Sequence, residues 1–386
     1  MAMSTFLPHS ESKSSNFIVK KNLDQLLSFV IKQLAFTMDK NNNQLTRLLI
    51  AFVLGGFFTF SACQVDQSTP APDVSNINID LELRRFEQDL FTIDTNNIKE
   101  ELAQVEAKYP LFAALYFEQL MGAKSAPQGF ENYMKGFITF PEVRQLYDTT
   151  TLLYGDLSFY EEDLTDAFRY YKYYFPERPV PQVTTYLSEY TIGSFIYGAD
   201  QLAIGLDFFL GADYPYAKYN PGNPNFSNYL TRSFNRDHLV MKTLQPLVED
   251  LAGGEPGNRM LDIMIHEGKK FYLLDLLLPN TPDSVIFEMP EQDILWLEDS
   301  ELEIWAFLLQ EQLFYESEWK KIRKFVEYAP KVPQMHPDAP GRAANWVGWK
   351  IIQAYMKRNP NVSVTDLMAI EDAQKILDGS KYKPPR

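Results

Sequence analysis

One cysteine, Cys63, stands in 386 residues, so no disulfide can form within the chain and stability must come from core burial. Histidine is nearly as scarce. Only His238, His266 and His336 follow residue 62, which leaves little from which to build a histidine-rich zinc site. No glycine-rich loop precedes a helix, so the phosphate-cradling motifs are missing. No serine elbow occurs either: Thr191-Ile192-Gly193-Ser194-Phe195 lacks its second glycine. Positive charge is short. The net charge is -15, and residues 1–62 carry six basic and three acidic residues, which leaves -18 for the rest. That balance excludes nucleic acid as a natural partner and a polybasic grip on anionic lipid. Internal repeats and low-complexity tracts are absent.

Residues 48–60 form an apolar run of 13, too short for a comfortable transmembrane helix and the right length for a signal peptide. Lys40 and Arg47 precede it, and Phe60-Ser61-Ala62-Cys63 follows. This resembles a bacterial lipobox, in which the cysteine is acylated and becomes the first mature residue; Phe60 departs from the usual leucine. A charged n-region begins at Met38, so the expected start is Met38 and residues 1–37 are an upstream extension. The expected organisation is a signal peptide over 38–62, a flexible Ser-, Pro-, Asn- and Asp-rich linker over 63–80, and one domain over 81–386. The protein is expected in the cell envelope, tethered through lipid on Cys63 to a membrane outside the cytoplasm. The sequence does not choose between inner and outer membrane.

Apolar periodicity predicts helices over most of the mature chain, among them 85–91, 98–108, 158–175, 235–251 and 343–358. Ser158 and Glu161 have the spacing of a capping box. Strands are expected at 77–83, 183–190, 192–197 and 201–207, the last three as an antiparallel meander. The fold class is α+β: a mostly helical, zincin-like domain with a small antiparallel sheet packed on a central buried helix. Aromatic residues, 14% of the chain, read chiefly as core.

That central helix is the apolar run 260–278, interrupted by His266, Glu267, Lys269 and Lys270. Its nearest mechanistic relative is His-Glu-x-x-His, where two imidazoles one turn apart hold zinc and the glutamate is the general base. Here Lys270 replaces the second histidine, and a protonated amine has no lone pair for a metal. Three readings compete. In the first, His266 and a carboxylate such as Glu298, Glu301, Glu303 or Glu311 hold zinc in a live metallopeptidase. In the second, the degenerate positions His266, Glu267 and Lys270 mark a former protease cleft kept for binding, with Gln201, Ile204, Gly205 and Leu206 as a peptide-binding edge. In the third, Asp262, His266, Glu267 and Lys270 are a self-satisfied polar network in a helical core. No catalytic residue, metal or cofactor is assigned. A surface glycan-binding lipoprotein, suggested by the Tyr-rich residues 214–229, is a further alternative.

Several blocks, in order, carry a resemblance. They are Arg84-Arg85-Phe86-Glu87-Gln88-Asp89-Leu90-Phe91, Ile204-Gly205-Leu206-Asp207-Phe208-Phe209-Leu210-Gly211, and His266-Glu267-Gly268-Lys269 with Leu274-Asp275-Leu276-Leu277-Leu278-Pro279. Gly341-Arg342-Ala343-Ala344-Asn345-Trp346-Val347-Gly348-Trp349 completes the set. Together with the lipoprotein signal, they resemble the gliding-motility lipoprotein GldB family of Bacteroidetes over about residues 81–368. That family is similar to zincin-like metallopeptidases of the peptidase MA type. The resemblance implies a lipid-anchored envelope protein needed for gliding motility, acting near the motor and secretion proteins. It implies no biochemical activity, and Lys270 departs from the peptidase pattern.

Overall fold

The computed structural model describes residues 71–219 and 221–385. The expected start at Met38, the expected signal peptide over 38–62 and the expected acylation site Cys63 lie outside the described residues. The first elements are β1 (Leu83–Arg85), α1 (Phe86–Phe91), α2 (Ile98–Lys108) and α3 (Pro110–Leu115). They close around Phe86, whose ring meets Tyr109, Phe112 and Tyr116 edge-on at 5.2, 4.8 and 4.8 Å. Three edge-to-face contacts on one buried ring add roughly 0.5–1.5 kcal/mol each beyond the area they bury. A π-helical turn, Tyr116–Leu120, continues α3. Then come α4 (Phe130–Thr139), α5 (Pro141–Tyr154) and α6 (Ser158–Tyr174). Pro110 and Pro141 open their helices where a missing N–H costs nothing. The capping box expected at Ser158 does not form. Leu157 is the residue at the cap, and Asp156 Oδ1 accepts from Ser158 N at 2.9 Å instead.

The sheet differs from the expected meander. Its strands are β1, β2 (Val183–Tyr186), β3 (Ser194–Tyr197) and β4 (Gln201–Gly205), in the order β1-β2-β4-β3. β1 and β2 are parallel, β2 and β4 are parallel, and only β3 and β4 are antiparallel, joined through Gly198 at φ 62°. The sheet is therefore mixed. One carboxylate braces the crossover. Asp207, just after β4, accepts from Tyr190 N at 2.7 Å and from Ser188 N and Oγ, both at 3.2 Å. This ties the loop after β2 to the end of β4, with Glu189 and Tyr190 in left-handed conformations (φ 51° and 61°). β3 is carried past β2 and pairs on the far side of β4. Gln201, Ile204 and Gly205 therefore lie in an interior strand, and Leu206 follows it in a short 3-10 turn; the expected peptide-binding edge is not at these residues. Among the described residues, the open edge on this side belongs to β3.

The second half holds α7 (Leu239–Ala252), α8 (Met260–Leu277), α9 (Glu291–Asp299), α10 (Glu301–Gln310) and α11 (Trp319–Val326). It ends with α12 (Ala343–Arg358), α13 (Val364–Ala369) and α14 (Ala373–Ser380). α7 lies against β3 and β4 with one side and against α8 with another. α8 is apolar on nearly every face and is buried accordingly. Its main partner is α12, and the two backbones touch at glycine. A Cβ on Gly348 would stand 1.8 Å from Met264 O, and one on Gly268 would stand 2.4 Å from Gly348 C. Either alanine would push the helices apart, at a cost of about 1–3 kcal/mol or more. No helix among the described residues is long and apolar enough to cross a membrane.

Candidate functional site

The charged residues of α8 do not form one network. Asp262 turns back to cap its own helix, accepting from Arg259 N at 3.1 Å and from Arg259 Nε at 2.8 Å. Lys269 is buried and donates to the Ile370 and Met368 carbonyls at the end of α13. Burial holds its pKa down at about 8. His266 is also buried. Its pKa falls to about 4, first through burial and then through the charges of Lys270 and Lys269, so the imidazole is neutral. Glu267 and Lys270 form an ion pair, each about one-fifth exposed. This pair lines a cavity of about 300 Å³, and His266 is not part of its wall.

The other metal-ligand candidates stand apart. Glu301 accepts from Tyr382 Oη at 2.5 Å. His238 Nδ1 lies 2.9 Å from Asn235 Oδ1. His336 stacks on Trp296 with ring centroids 5.6 Å apart. Among the described residues, no three His, Cys, Asp or Glu side chains gather as a ligand set. Lys270 closes on the carboxylate that a zinc peptidase would use as base. The residues present do not fit a catalytic zinc ion.

The polar centre of the cleft is a residue the sequence reading passed over. Glu288 is buried, with φ at 50°, between α8 and α9. Its Oε1 lies 2.5 Å from Lys242 Nζ on α7, and its Oε2 accepts from Tyr328 Oη. Its carbonyl accepts from Arg232 Nη2 at 2.8 Å. Arg342, buried at the N-terminal cap of α12 with φ 62°, donates to Phe287 O and lies 3.9 Å over the Tyr328 ring. Burial alone would raise the Glu288 pKa. The charges of Lys242 and Arg342, with hydrogen bonds from Lys242 and Tyr328, outweigh it and hold the carboxyl at about 2. Two cations, Lys242 and Arg342, thus hold the carboxylate, and a third, Arg232, holds the main-chain carbonyl of the same residue. A sign was present in the sequence: an acid inside the apolar stretch 285–289, and an arginine opening a helix whose first two turns are mostly small and aromatic.

A second cavity, of about 430 Å³, abuts the first and shares Gln245, Glu288 and Tyr328 with it. Gly193 and Ser194, at the start of β3, form one side, and Phe208, Phe226 and Phe234 line another. The Tyr-rich segment is largely committed to packing. Tyr214 and Tyr190 join hydroxyls at 2.6 Å, and Tyr216 Oη accepts from Leu210 N at 2.8 Å.

Fold and site together define a mostly helical α+β protein whose charge-lined cleft lies on a glycine-clasped helix pair. The chain belongs to the family described as Gliding motility protein GldB, which matches residues 67–384. Membership places it among gliding-motility-related lipoproteins of the cell envelope. No curated protein and no solved structure matches the chain.

Proposed function

We propose that this protein is a lipid-anchored envelope scaffold that serves gliding motility, or the secretion machinery associated with it, by holding a peptide segment of a partner without cleaving it. The lipid is assigned to Cys63 because a short apolar run ending in Ser61-Ala62 precedes it. The observation that carries the non-catalytic reading is the Glu267–Lys270 ion pair. A cation stands where a second imidazole would be needed, and it neutralises the carboxylate that a hydrolase would use to activate water. The neutral His266 lies off the cavity wall, so the degenerate zinc-peptidase motif keeps a cleft without its reactive groups.

The test is genetic. The full chain carrying Glu267→Gln is returned to a gliding bacterium whose own copy has been deleted. Cells should glide, with the variant accumulating as the parent does. Lost gliding at normal accumulation would overturn the scaffold reading and restore the alternative, a zinc-dependent peptidase with an unusual ligand set.

A further inference from the structure

Among the described residues β3 pairs with β4 alone, so its other edge is open. Gly205 N donates to Gly193 O at 2.6 Å, and the register sets Phe195 opposite Ala203. In an antiparallel ladder alternate residues turn N–H and C=O toward the partner strand. Phe195 therefore bonds to β4, while Ser194 and Ile196 turn their backbone groups to the open side. An uncovered edge of this kind recruits another extended chain.

The two cavities say what that chain must carry. The larger begins at Ser194 and has walls of Phe208, Phe226 and Phe234, which suit an apolar side chain. The smaller sets five glutamates against two cations, Lys270 and Arg342. Both cations are engaged, Lys270 with Glu267 and Arg342 with Phe287 O and the Tyr328 face. Glu288 is taken by Lys242. The remaining three, Glu249, Glu255 and Glu327, have no ion-pair partner among the described residues. Trp319, 49% exposed, adds an open indole to the same wall. Carboxylates without a cation, of which Glu249 accepts only from Gln245 Nε2 at 3.3 Å, select an ammonium or guanidinium group beside an indole face. The net charge of -15 works in the same direction during encounter.

We propose that the β3 edge takes up a basic, extended segment of a partner protein as an added strand, with an apolar side chain in the aromatic cavity and a lysine or arginine in the glutamate-rimmed one. This names the ligand of the scaffold reading above and rests on it.

The probe is a library of N-acetylated, C-amidated synthetic peptides of about ten residues, long enough to span such an edge, with threonine fixed at alternate positions. It is screened against the full chain in detergent. Selected peptides should carry one apolar and one basic residue. Methylating the amides that face Ser194 and Ile196 should weaken binding about tenfold or more, and methylating the intervening amides should not. Glu255→Lys with Glu327→Lys, both at exposed positions, should weaken binding by about tenfold, with less effect at high salt. Absence of binding, selection of acidic or uncharged peptides, or indifference to the methylation register would each overturn the inference. The two readings fail separately. If no basic peptide binds while Glu267→Gln cells glide, the inference falls and the scaffold stands. If Glu267→Gln cells stop gliding while basic peptides bind in this register, the scaffold falls and the docking edge stands.

Discussion

Two buried carboxylates hold two regions of this protein, and they do so by opposite means. Glu288, at the floor of the cleft, is surrounded by Lys242, Arg232 and Arg342, and its pKa is held at about 2. Asp207, at the end of the sheet, meets only N–H and hydroxyl donors from Ser188 and Tyr190. Burial raises its pKa to about 6, and those donors offset only part of that rise. In this protein two full charges offset the burial of Glu288, and the donors at Asp207 offset only part of its burial. The cleft floor is therefore built to stay ionised, and the loop beside β3 is fastened by a group that gains a proton in mild acid.

The largest expected effect tests the cleft side of this comparison. Glu288→Gln keeps the shape and removes the charge, leaving Lys242 and Arg342 without their carboxylate. Stability at neutral pH should fall by about 3–5 kcal/mol, read from the denaturant midpoint. An unchanged midpoint would mean that the cations do not depend on Glu288.

The pH dependence tests both sides at once. Glu288 has a folded pKa below its ordinary 4.5, so its contribution is present above that value and disappears as pH falls toward 2. About 3 kcal/mol should be lost across that window. Asp207 has a folded pKa above its ordinary 3.8, so its term is complete below that value and is lost as pH rises through 6. That change should also be about 3 kcal/mol, in the opposite direction. Glu288→Gln should weaken the acid limb, and Asp207→Asn should remove about 3 kcal/mol from the limb between 3.8 and 6, which Asp275, also raised to about 6 by burial, shares. If either variant removed the other's limb, the assignments would be wrong.

A smaller effect sharpens the pairing. Lys242→Met combined with Glu288→Gln should cost less than the two single changes together, by about 1–3 kcal/mol, because the groups share one ion pair. Strict additivity in the denaturation series would remove Lys242 from the centre. The smallest effect is expected on the cleft wall. Glu267→Gln breaks a partly exposed pair and should change stability by less than about 1 kcal/mol.

The helices were the legible part of this protein. α8 was expected at 260–278 and occupies Met260–Leu277, because a run apolar on every face can only be a buried helix. α12 occupies Ala343–Arg358, the expected 343–358, because a Gly341-Arg342 opening and a residue pattern of small and aromatic side chains bound it on both sides. The strand order was not legible. It is set by pairings between segments distant in the chain, and the Asp207 carboxylate that braces them reaches Ser188 and Tyr190, 19 and 17 residues earlier, a tie no local pattern encodes. The cleft was half legible. His266, Glu267 and Lys270 stood out as polar residues in an apolar run, yet only two of them reach the cavity. Glu288 stands in an apolar stretch, but Lys242 lies 46 positions away on another element, and nothing in the sequence joins the two. The structure supplies the pairing that makes them a centre.

The glycine contact between α8 and α12 also has a mechanical meaning. With Gly348 seated on the Met264 carbonyl, neither helix can slide along or roll over the other without a backbone collision. Glu267 and Lys270 on one helix and Arg342 at the head of the other are thereby fixed on a single stiff plate. Any change in aperture must come from the opposite jaw, where Tyr328 and Trp319 stand on segments outside that plate. Forced open, the cleft would yield at that jaw first and keep the spacing of its charged anvil unchanged.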